Sequence, residues 1–83
     1  MTKNLYEAQQ LIEEMIARQN AKLLASAKRI VPSVTADDLL QPNDFPALEN
    51  HAEFRYEEGL LSGMQTVQMA LIAYVKDIKC PRP

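Results

Sequence analysis

Apolar residues near the start of the chain recur at helical spacing. Ile12, Ile16, Gln19, Leu23, Ser26 and Ile30 follow one another by steps of four and three, the period of one helix face meeting a neighbour. Leu5, Ala8, Met15 and Ala27 flank that stripe. Asn4 followed by Glu7 has the spacing of an N-cap and its reciprocal carboxylate, which predicts a helix over about residues 5–30. Lys28 and Arg29 suit its carbonyl end, and Pro32 disfavours a helical conformation at Val31 before it. Gln19 and Ser26 are the polar members of the stripe. Each either fixes register or oligomeric state from inside the seam or lies at a wet edge.

The periodicity lapses over residues 31–44, which read as a connection. Within it Thr35 and Asp38 have capping-box spacing and predict a short helical turn. Pro42, Asn43, Asp44 and Pro46 punctuate the chain, and proline is tolerated in a first helical turn because its missing amide proton has no partner there. A second helix is therefore expected from about 45 to 79, with residues 80–83 as a frayed tail.

This second helix carries two stripes. One runs through Glu53, Glu57, Leu60, Met64, Val67, Leu71, Tyr74 and Ile78; the other through Ala52, Tyr56, Gly59, Gly63, Thr66, Ala70 and Ala73. Together they cover about 200° of the helix, twice what one neighbour requires. The large-residue stripe matches that of the first helix, and the connection is long enough for the two to lie antiparallel. The expected fold is all-α, an antiparallel helical hairpin of two long helices.

Such a hairpin is too thin to enclose a core, and two-fold pairing into a four-helix bundle is the common remedy. Tyr56, Gly59, Gly63, Thr66, Ala70 and Ala73 are the expected oligomer contact, because each mid-helix glycine costs about 1 kcal/mol against alanine and close approach of a second backbone offsets it. The competing reading is that Gly59 and Gly63 make room for large residues of the first helix, such as Leu23, within a monomer or beside a different protein.

With 83 residues there is room for one domain. Both glycines lie inside the second helix, which leaves no glycine-dependent hairpin turns. Cys80, the single cysteine, excludes an internal disulfide and a thiolate zinc cluster. The absence of an uninterrupted apolar run near the N-terminus makes a cytoplasmic location the expectation. Residues 59–75 carry no charge, but polar residues interrupt them and the run is short of the ~20 apolar residues of a membrane span.

Charge is uneven. Asp37, Asp38, Asp44, Glu49, Glu53, Glu57 and Glu58 make residues 37–58 acidic, whereas the closest approach to a basic patch is Lys22, Lys28 and Arg29. Nucleic acid is therefore disfavoured as a partner. Glu49, Glu53 and Glu57 form a ladder at spacing four, and carboxylates on a core stripe require an explanation. In one reading they bind a divalent cation inside the bundle, extending to a metal-dependent enzyme, although the Glu-x-x-His pattern of di-metal bundles is missing. In the other, antiparallel pairing brings Lys28 and Arg29 to Glu53 and Glu57 as ion pairs. His51, the only histidine, has no partner for a nucleophilic triad and reads as a surface residue. The sequence thus favours a non-enzymatic protein-interaction module without cofactors, acting as a homo-oligomer and offering its acidic end to another protein.

Overall fold

A computed structural model describes residues 2–41 and 44–79. The helices are α1 (Thr2–Ile30), α2 (Pro46–Glu49) and α3 (Ala52–Lys79), with a 3-10 turn at Asp37–Leu40 in the connection. No strand occurs among the described residues. The two long helices pack against each other. Their polarity follows from two cross-links: Gln19 bonds Glu57, whereas Arg29, further along α1, reaches Glu53, earlier on α3. The pair is antiparallel, as expected from the sequence.

Helix α1 ends at Ile30, one residue before Val31 and Pro32, but it begins at Thr2 rather than near residue 5. Asn4 therefore lies inside the first turns, exposed, and does not cap the helix. The stripe on this helix is correctly placed. Ile16, Gln19, Leu23 and Ser26 are buried, and Ile12 and Ile30 pack against the core from its margin.

Thr35 and Asp38 form the reciprocal pair that their spacing implies. The Thr35 amide donates to Asp38 Oδ2 at 2.9 Å and the Asp38 amide to Thr35 Oγ1 at 3.3 Å, which fixes the start of the 3-10 turn. The connection does more than connect. Val34 and Leu48 are 2% and 0% exposed and join Phe54, also 0%, in the same core cluster as Leu23 and Ala27. One end of the hairpin is thus plugged by its own linker.

Two expectations for the second helix are corrected. It is not continuous from about 45: Pro46 opens the short α2, and the helix breaks at Asn50 and His51 before α3 starts. Asn50 turns its amide back to the Pro46 carbonyl at 3.0 Å, and His51 Nδ1 accepts the Phe54 amide at 3.4 Å. His51 is thus the N-cap of α3 and half-buried, where a surface residue was expected. The core stripe of α3 keeps Glu57, Met64 and Leu71 as expected, but its other members lie one position further along. Phe54, Glu57, Leu61, Met64, Gln68, Leu71 and Val75 are buried or half-buried, whereas Glu53, Leu60, Val67, Tyr74 and Ile78 are exposed. Both stripes have the same period, and the fully buried Phe54, tied to the linker plug, decides between them.

The Ser26 hydroxyl is buried without a hydrogen-bond partner. Such a group bears its desolvation cost uncompensated, and alanine is the better helix former. Ser26→Ala is expected to raise stability by about 1 kcal/mol, measured by urea unfolding. A loss of stability would mean that the hydroxyl has a partner in solution. Pro42, Asn43 and the tail at 80–83, including Cys80, lie outside the described residues.

Candidate functional site

The polar cluster of the seam centres on Glu57. Its side chain is held inside the hairpin, 8% exposed. Gln19 Nε2 donates both to Glu57 Oε2 at 2.7 Å and to the Glu57 carbonyl at 2.9 Å. Lys22 Nζ stands 3.9 Å from Glu57 Oε1 but is itself mostly in water, so its contribution is small. Gln19 is therefore a buried polar partner of Glu57 inside the seam, and the wet-edge reading of that residue is set aside.

The carboxylate ladder does not assemble. Glu49 ends α2, and the break at Asn50 and His51 separates it from the helix that carries Glu53 and Glu57. Glu53 is exposed and pairs with Arg29 Nη2 at 3.2 Å, while Glu57 turns inward to Gln19. Of the expected ion pairs only Arg29 to Glu53 is formed as drawn; Lys28 is exposed and Lys22 takes the place beside Glu57. Among the described residues, no group of three His, Cys, Asp or Glu side chains is disposed to hold a metal ion. The acidic end is also partly spent: Glu58 pairs with Arg55 at 3.2 Å and Asp38 caps the turn, leaving Asp37, Asp44 and Glu49 exposed.

The larger feature is apolar. Tyr56, Gly59, Gly63, Thr66, Ala70 and Ala73 are all exposed along α3. Beside them a groove of about 450 Å³ opens between the two long helices, floored by Gly59 and Gly63 and walled by Ile12, Met15, Leu60 and Val67. A Cβ built on either glycine would meet nothing within 4 Å. Leu23 is buried elsewhere in the seam, so the reading in which the glycines accommodate it is overturned. Within this chain their helix-weakening cost has no packing compensation.

Exposed surface is correspondingly large. Tyr56 is 66% exposed, Val67 56% and Tyr74 57%. The chain presents 6100 Å² to solvent, against about 5000 Å² for a compact monomer of this mass. Its radius of gyration of 16.2 Å likewise exceeds the ~12 Å of a compact chain of this length. The excess surface is more than the ~800 Å² that each partner buries in a standard interface.

The chain matches no family model, and comparison with curated proteins and with solved structures gives no match. No helix among the described residues is long and apolar enough to cross a membrane. The small-residue stripe was legible from sequence. The groove beside it was not, because its floor and walls come from two helices whose relative rotation the periodicity left open.

Proposed function

We propose that this protein is a non-enzymatic helical interaction module that works as a homodimer, two hairpins forming a four-helix bundle. The observation that carries the reading is the groove at Gly59 and Gly63: an uncharged, glycine-floored surface between large exposed apolar side chains, with no intrachain neighbour over the glycines. Contiguous apolar surface of this kind marks an interaction site. The side chains that chemistry would recruit support the same reading, since Glu57 is tied to Gln19 and His51 caps α3. The linker end then offers a second surface to another protein, where Leu40, 77% exposed, lies between Asp37 and Asp44.

Sedimentation at several concentrations tests the proposal directly. The wild-type chain is expected to sediment as a dimer that dissociates on dilution. Gly63→Leu should weaken it, since overpacking costs about 1 to 3 kcal/mol per site and a two-fold interface contains the site twice. In an isolated hairpin the same substitution meets open space and gains helix propensity. A leucine variant that sediments and melts like the wild type, or a wild type monomeric throughout, would overturn the homodimer.

A further inference from the structure

We propose that the dimer is built by α3 packing antiparallel against α3 of a second copy, with the two-fold axis passing at Gly63. This rests on the homodimer reading above and adds to it the partner element, its direction and its register.

The outward face of α3 is self-complementary in size when read against its own reverse. With the axis at Gly63, residues equally distant on either side of that position meet across the interface. Tyr56 of one copy then faces Ala70 of the other, Val67 faces Gly59, and Tyr74 faces Ala52. Every bulky side chain meets a small one, and the two Gly63 positions meet at the axis, where backbones come closest. All seven residues are exposed on the free hairpin, and both glycines have open space above them. Alternation of large and small residues across facing positions is how helix layers interdigitate.

Other arrangements lose this match. A parallel pair sets Tyr56 on Tyr56 and Tyr74 on Tyr74, and leaves the glycines facing each other across a gap. Sliding the antiparallel pair by one turn in one direction brings Tyr56 onto Tyr74. Sliding it in the other carries Tyr74 past the start of α3, opposite the end of α2. The chosen register keeps the tyrosines apart, sets Val67 over Gly59 and brings the two backbones together at Gly63.

Polar cost is low as well. No charged residue lies between Glu58 and Lys76, so the centre of the contact, from Gly59 to Val67, buries no ion. The Thr66 hydroxyl at the margin already donates to the Ser62 carbonyl at 2.9 Å, so its hydrogen is not left unpaired by the contact. The surface in excess of a compact monomer is more than such an interface covers.

The test is disulfide cross-linking of the full chain, with Cys80→Ser as background. Gly63→Cys is expected to link two copies across the axis on mild oxidation. Tyr56→Cys mixed with Ala70→Cys should link only as a heterodimer. Tyr56→Cys alone should not link, because its two copies stand about 21 Å apart along the helices. A swap supplies an independent readout that does not depend on cysteine chemistry. Ala70→Tyr alone should raise the dimer dissociation constant roughly tenfold or more, and adding Tyr56→Ala should bring it back to within roughly threefold of the wild type. If the wild type is a dimer but Tyr56→Cys links to itself and the swap restores nothing, this register is overturned while the homodimer stands. A wild type that remains monomeric at every concentration removes both.

Discussion

Phe54→Ala is expected to cost about 3 to 5 kcal/mol, the largest loss from any single truncation in this chain. Phe54 is 0% exposed and sits where α3 begins, in one cluster with Val34 and Leu48 from the linker and with Leu23 and Ala27 from α1. Removing its ring opens a cavity against elements that cannot all follow, because Pro46 and the capped turn at Thr35 hold the linker in place. A domain of this length has a total stability of only about 4 to 12 kcal/mol. The variant should therefore lose about a quarter or more of its stability, seen as a lowered urea midpoint. A cost under about 1 kcal/mol would show that the linker does not plug the hairpin.

The second large effect lies at the polar pair in the seam. Gln19→Ala removes the donor to both Glu57 Oε2 and the Glu57 carbonyl, leaving a buried carboxylate with only the distant Lys22. Hydrogen bonds to charged groups contribute about 1.5 to 3 kcal/mol, and a loss of that size is expected. The informative control replaces both partners. Gln19→Leu combined with Glu57→Leu should be near neutral or more stable, since an apolar pair leaves nothing unsatisfied. The native pair then fixes which turn of α1 meets which turn of α3 rather than adding stability. If Gln19→Ala alone is silent in urea unfolding, water already solvates Glu57 and the pair fixes no register.

The exposed seam of α3 and the buried one show where sequence reading stops. They differ by a single step, Glu53 against Phe54, Leu60 against Leu61, Val67 against Gln68, Tyr74 against Val75. Periodicity measures how often apolar residues return, not the absolute rotation of a helix about its axis. The series with Leu60, Val67 and Tyr74 fits the helical period as well as the buried one does, yet those three residues are exposed. Such a misplacement is informative in itself, since surface this apolar is left for a partner.

By itself the sequence determined the helical class, the antiparallel pairing, the end of α1 before Pro32, the capped turn at Thr35, the buried stripe of α1 and the exposed stripe of small residues. These follow from local rules: spacing, caps, and the backbone restrictions of proline. Only the tertiary structure decided the rotation of α3, the break at His51, the inward turn of Glu57 and the linker plug. Each of these depends on which of several locally equivalent arrangements lets Phe54, Leu48 and Val34 leave water together, and that choice exists only once both helices and the linker are in contact.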